Sequence, residues 1–166
     1  VRNQFRRVKM QHIRPKTTEW FTYFPEDYRW SAAIGGMLGL AVVGASDMGE
    51  IDRTARKLKN KLGDDEAWFF TWQELGDELK QKADDCRNRG HTISASVFYL
   101  RASCYYQWGE RFRTVKDDHA LNVYRKSVEC FHEHAQLSIS PKIEIVEVPY
   151  EGNFLPGYFV HAENTK

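Results

Sequence analysis

At 166 residues, with 42% hydrophobic and 28% charged residues and a formal net charge of +1, the chain has the composition of an ordinary globular domain long enough to bury a core. Its three cysteines, Cys86, Cys104 and Cys130, are odd in number and 18 and 26 residues apart, which excludes a disulfide framework and any standard metal spacing. The longest apolar run, AAIGGMLGLAVVGA, is too short and too glycine-rich for a membrane span, and no apolar core follows the basic start as a secretory signal requires.

Residues 1–16 hold six Lys/Arg and no acid, leaving −5 for the remainder of the +1 chain. A basic arm over 1–20 can touch nucleic acid or another anionic partner, but no nucleic-acid motif accompanies it. It reads as a solvated or docking arm, with no nucleic-acid partner expected. Residues 17–30, TTEWFTYFPEDYRW, are dense in aromatics and broken by Pro25, the pattern of a packed irregular segment.

Helical patterns take over from Ser31. SAAIGGMLGLAVVGA offers Ser31 as an N-cap and then small or apolar residues on every face, which predicts a wholly buried helix. Gly35, Gly36 and Gly39 each cost about 1 kcal/mol against Ala there, so close approach by another backbone or a ligand is expected. SDMGEIDRTARKLKNKLG follows, with Ser46 or Asp47 as cap and Gly63 as stop.

Residues 64–90 give the clearest helix. Trp68 or Phe69, Trp72, Leu75 or Gly76, Leu79, Ala83 and Cys86 recur at steps of three and four, Asp64 and Asp65 suit its positive start, and Gly90 ends it. TISASVFYLRASCYYQWGERF predicts a second amphipathic helix. DDHALNVYRKSVECFHEHAQL predicts a third, with an apolar stripe at Leu121, Tyr124, Val128, Phe131 and Ala135. The grammar then changes: KIEIVEVPY and FLPGYFV are strand-like, with EGN as the turn between them. The fold class is therefore mainly α, about five helices over 21–138, followed by a β-hairpin over 139–166. A lone hairpin is marginal in water and its edges call for partners.

Catalytic signatures are sparse. GASDMG approaches G-x-S-x-G around Ser46, but Met48 occupies the position that needs a small residue and Gly49 comes one place late, so a helix junction is expected. His132 and His134 lie two apart and diverge by about 200° on a helix, which rules out a shared metal face. Asp84, Asp85, Asp117 and Asp118 suit helix surfaces and caps. Trp72, Leu75 and Gly76 match the W-x-x-L-G opening of a tetratricopeptide repeat, but no period repeats, so only an antiparallel helical hairpin is expected. Asp47, Tyr105 and Tyr106 remain as polar groups in apolar surroundings, either lining a substrate pocket or satisfied within the core. No metal and no cofactor is expected, and the cysteines read as reduced, buried small hydrophobes, which fits a cytoplasmic setting.

Four ordered blocks, RWSAAIGGMLGLAVVGASDMGEIDR, DDEAWFFTW, GHTISASVFYLRASCYY and VEVPYEGNFLPGYF, make the chain from about Phe21 to Val160 resemble the N-terminal portion of a group of α/β-hydrolases. That group includes the fungal polyketide-shortening hydrolases of pigment pathways, the "yellowish-green" type, and the bacterial 2,6-dihydroxypseudooxynicotine hydrolases. The resemblance implies a helical cap over the active site and a hairpin that begins the hydrolase sheet. It also implies that the serine, acid and histidine come later, so none of the parent's catalytic residues lies in this chain. The partner implied is a C-terminal hydrolase core, in the same protein or a companion chain, acting on an aromatic or polyketide ketone or ester, with C–C bond hydrolysis in view and a homodimer possible. A different class of reading stays open beside it: a non-enzymatic helical module that binds protein through its aromatic surface.

Overall fold

The computed structural model describes residues 22–162. The basic arm over 1–20 lies outside them. The helices are α1 (Tyr28–Leu40), α2 (Met48–Arg56), α3 (Asp65–Asn88), α4 (Thr92–Glu110) and α5 (Asp118–Leu137), with a short 3-10 turn over Ala41–Val43. Two strands follow, β1 (Ile143–Tyr150) and β2 (Asn153–Val160).

Aspartates start four of the helices. Asp27, Asp47, Asp64 and Asp117 each stand in extended backbone and accept hydrogen bonds from backbone N–H groups of the first turn. The α1 cap is therefore Asp27, and not Ser31 as the pattern predicted. Ser31 lies inside the helix, where its hydroxyl accepts from the Phe24 N–H at 2.9 Å and donates to the Phe24 carbonyl at 2.7 Å. That bond folds the preceding irregular segment back onto α1 and buries Phe24.

The centre is an antiparallel trio, α3, α4 and α5. Trp72 meets Gly109, Gly76 meets Tyr106, and Tyr99 meets Asp84, so the α3–α4 pair runs in opposite directions throughout. Ser103 with Ser127 and Ser96 with His134 establish the same for α4 and α5. Trp30, Trp68, Trp72, Tyr105, Tyr106 and Phe69 are fully buried. Their rings form a chain: Trp30 to Trp68 at 4.9 Å, Trp68 to Trp72 at 5.4 Å and Trp72 stacked on Tyr105 at 5.7 Å. Each such side chain removes roughly 150–250 Å² from water, so this column contributes a large share of the buried apolar area. Cys104 and Cys130 are buried and Cys86 half-buried, all as free thiols.

Three helices differ from their patterns, α2 by ending at Arg56 and not at the predicted stop, Gly63. In α1 only the face of Trp30, Ala33, Ile34 and Met37 is buried, and Val42 and Val43 just beyond it are 90% and 69% exposed. The helix packs on one side alone, so its other apolar side stays open. Gly36 meets Trp108, whose ring would lie 2.7 Å from an added Cβ, while Gly35 and Gly39 have nothing within 4 Å. In α5 the core side is Ala120, Val123, Ser127, Cys130 and Ala135; Ala135 belongs to the predicted stripe, whereas the other four lie one position behind its Leu121, Tyr124, Val128 and Phe131. Leu121 and Tyr124 are 44% and 53% exposed, because α5 approaches α4 closely through small residues and turns its bulkier stripe aside.

The hairpin pairs Ile143 with Val160 through Tyr150 with Asn153 across the two-residue loop Glu151–Gly152. Both loop residues have positive φ, 47° and 79°, the twist that suits a tight hairpin. Its contact with the helices is made through α5, where the Phe131 and Tyr158 rings pack edge to face at 4.6 Å.

Two glycine substitutions should separate packing from propensity. An alanine at Gly76 places Cβ 2.6 Å from the buried Tyr106 ring, so Gly76→Ala should cost about 1–2 kcal/mol despite its helix-propensity gain. Gly35→Ala meets no such obstacle and should stabilise by about 0.5–1 kcal/mol. Thermal denaturation of the two variants, with opposite shifts in Tm, checks this.

Candidate functional site

The segment before α2 shows how the chain uses its most suggestive residues. Gly44, with φ 75°, closes the 3-10 turn, and Asp47 follows in extended backbone to cap α2. The Asp47 carboxylate accepts from the N–H groups of Gly49 and Glu50 at 2.8 and 3.0 Å. Its own backbone N–H donates to the Tyr105 hydroxyl at 2.9 Å, and that hydroxyl donates to Glu50 Oε2 at 3.0 Å. Arg101 completes the group by donating to Glu50 Oε1 at 3.2 Å. Burial pushes the Tyr105 phenol far above its ordinary value, so it stays neutral. Ser46, buried beside this group, donates to the Met37 carbonyl at 2.5 Å.

Tyr106 follows Tyr105 on α4 and therefore points about 100° away. Its hydroxyl donates to Asp77 Oδ1 at 2.6 Å, and Lys126 donates to the same oxygen at 2.7 Å. Asp47 and Tyr105 thus meet at the α2–α4 junction, while Tyr106 ties α4 to α3 and α5. The three candidates belong to two separate hydrogen-bond networks.

Sequence spacing had no means of pairing Ser96 with His134, 38 residues apart, yet Ser96 Oγ lies 2.9 Å from His134 Nδ1. The same ring nitrogen is 3.1 Å from the Ser96 carbonyl, and burial pulls the imidazole below its ordinary pKa, partly offset by that carbonyl. A neutral His134 donating to the Ser96 carbonyl clamps the start of α4 to the end of α5. His132 diverges from it and reaches the Tyr158 hydroxyl at 3.1 Å. Among the described residues no group of three His, Cys, Asp or Glu is arranged to hold a metal ion. No helix among them is long and apolar enough to cross a membrane.

The largest unsatisfied feature is the hairpin. Ile145, Val148, Leu155, Phe159 and Val160 are 45–55% exposed, and Phe154 is 62% exposed. These residues include register neighbours such as Val148 and Leu155, so both strands contribute apolar side chains to open surface. Exposed apolar area of this extent marks a surface built to be covered. The outer edges of both strands also lack a third strand among the described residues.

Comparison with known proteins matches this geometry. No protein-family model matches the chain. The hydrolase acrC of Aspergillus aculeatus is 29% identical over 133 residues. The α/β-hydrolase ucsC of an Acremonium species is 25% identical over 141 residues, and the α/β-hydrolase psoB of Aspergillus fumigatus is 28% identical over 127. The chain is similar to fungal α/β-hydrolases over most of its length. These alignments take in 79%, 80% and 74% of it but only 30%, 28% and 28% of the relatives. The crystal structure of a 2,6-dihydroxy-pseudo-oxynicotine hydrolase superposes with a TM-score of 0.58 at 21% identity, covering 78% of this chain and 34% of that one. That likeness is one of fold, and it takes in about a third of the larger hydrolase chain.

The Tyr106–Asp77–Lys126 network predicts an acid-sensitive fold. Burial raises the cost of an ionised Asp77, but hydrogen bonds from Lys126 and Tyr106 outweigh it and hold the carboxyl below its ordinary value. A depressed carboxyl contributes stability above its unfolded pKa of about 4 and loses it as pH falls through the lower folded value. Asp77→Asn should therefore lower Tm at pH 7 and approach the parent chain near pH 2–3, which parallel melts across that range would read.

Proposed function

We propose that this chain is the cap-bearing N-terminal portion of a serine-type α/β-hydrolase. In this reading α1–α5 form the lid and the hairpin supplies the first two strands of the hydrolase sheet. The nucleophile, its acid and histidine partners and the oxyanion donors come from polypeptide outside these 166 residues, in the same protein or a companion chain. The observation that carries the reading is the exposed apolar hairpin, with no third strand on either edge among the described residues, in a chain spanning about 30% of its hydrolase relatives.

The lid's chemical task is binding. Closing an aromatic-rich surface over the site excludes water and strengthens every electrostatic interaction inside it. Holding the substrate carbonyl against the nucleophile and the oxyanion donors removes entropy from the reaction step. The substrate class is an aromatic or polyketide ketone or ester, with hydrolysis of an ester or of a C–C bond beside a carbonyl. The serine attacks that carbonyl, histidine takes its proton and passes it to the leaving group, and water then releases the acyl group. The buried, hydrogen-bonded Ser46 has no part in that sequence.

Expressing the chain alone and with its coding continuation, then assaying p-nitrophenyl butyrate and an aromatic β-diketone, tests this. Turnover should require the continuation and be lost on replacing the serine of a G-x-S-x-G motif within it. Hydrolysis by the isolated chain that disappears in Ser46→Ala, or a continuation without such a motif, overturns the reading.

A further inference from the structure

The stripe that α5 withholds from the core has a definite setting. Tyr124, Val128 and Phe131 line a cavity of about 300 Å³ with Gln107 of α4 and Tyr158 of β2. We propose that this cavity is a binding site for a flat, uncharged, oxygenated aromatic molecule of one or two rings. The site lies wholly within the chain and does not depend on the hydrolase reading.

Size and lining select that ligand. The volume stands at the low end of small-molecule sites, roughly 300–1,000 Å³, which limits the occupant to a compact molecule. Phe131 and Tyr158, edge to face at 4.6 Å, form one aromatic wall and Tyr124 adds a third ring. Rings of this kind favour a planar aromatic guest through offset or edge-to-face contact.

The polar groups divide into spent and available. Ser127 donates to the Ser103 carbonyl at 2.9 Å, and the two serine hydroxyls lie 3.3 Å apart, so they satisfy one another on the helix side. The Gln107 amide and the Tyr124 hydroxyl make no hydrogen bond to another described residue. An amide offers both a donor and an acceptor, and a phenol does the same, which suits a hydroxyl or carbonyl on the guest. No lining side chain is a carboxylate, ammonium or guanidinium. A charged guest would find no opposite charge there to offset its lost hydration, whereas the amide and the phenol can replace the hydrogen bonds that a neutral hydroxyl or carbonyl gives up.

The stripe itself is the independent sign. Three- and four-residue steps at Tyr124, Val128 and Phe131 repeat as regularly as those of a core face, yet the core is closed without them by Ala120, Val123, Ser127 and Cys130. Two of the cavity's aromatic rings, Tyr124 and Tyr158, are left 53% and 46% exposed around an open volume.

Titration of the chain with 2-naphthol, read by calorimetry and by amide chemical shifts, tests the proposal. Saturable one-to-one binding is expected, with shifts confined to residues near 103–107, 124–131 and 157–159. Naphthalene-2-sulfonate, the same rings bearing a charge, should bind at least about tenfold more weakly. Val128→Trp should fill the cavity and abolish binding. Gln107→Leu changes an exposed side chain and should weaken binding about tenfold with Tm retained, as the loss of one hydrogen bond requires. Non-saturable binding, shifts centred on the hairpin's outer surface, equal affinity for the sulfonate, or unchanged affinity in both variants overturns the site. Because no turnover is measured, the outcome stands apart from that of the hydrolase assay.

Discussion

The close approach of α3 and α4 is the constraint on which the rest depends. Gly76 leaves room for the Tyr106 ring, which an added Cβ would strike at 2.6 Å, and at Gly109 an added Cβ would press on Trp72 at 3.0 Å, so both aromatic residues sit against bare backbone. That proximity lets Trp68, Trp72 and Tyr105 pack ring against ring, at 5.4 and 5.7 Å between successive centroids. It also brings Trp68 Nε1 within 2.9 Å of the Trp108 carbonyl, satisfying a polar group that burial would otherwise penalise. The outer helices then attach through hydrogen-bonded tyrosines: Tyr105 to the start of α2, and Tyr106 through Asp77 to Lys126 of α5.

A well-filled helical centre and an exposed hairpin belong to the same chain. The helices bury Trp30, Trp68, Phe69, Trp72, Tyr105 and Tyr106 completely, whereas the strands leave their large side chains about half exposed. A two-stranded ribbon cannot bury both of its surfaces alone. The free side of α1, with Val42 and Val43 open, repeats the pattern at a second place. Exposed apolar surface at both positions fits a body that meets further structure, and the partial coverage of the fungal hydrolases agrees with it.

Much of this organisation was legible in the sequence. The steps from Trp68 to Ala83, the acidic start at Asp64, the capping charge at Asp117 and the stop at Gly90 all mark real boundaries, because local backbone chemistry sets helix ends. The strand alternation and the EGN turn mark the hairpin for the same reason. The misses share a different cause. Ser31 looked like a cap because the partner that claims its hydroxyl, Phe24, is brought back by tertiary folding. The α5 stripe looked like a core face because periodicity records which side is apolar, and not which side the neighbouring helix can approach. The Ser96–His134 clamp had no signal at all, since 38 residues separate two positions that only antiparallel packing joins.

The sequence by itself determined the five helices, the terminal hairpin and the likeness to the hydrolase group, since periodicity, capping and turn chemistry are local and blockwise. Only the tertiary structure decided what Asp47, Tyr105 and Tyr106 touch, that Ser46 is spent on Met37, and that Tyr124, Val128 and Phe131 border a cavity instead of the core. The reason is geometric. A side chain's partners depend on how closely two helices approach, and here that distance is set by Gly76, Gly109, Ser96 and Ser103, whose partners lie 24 to 38 residues away.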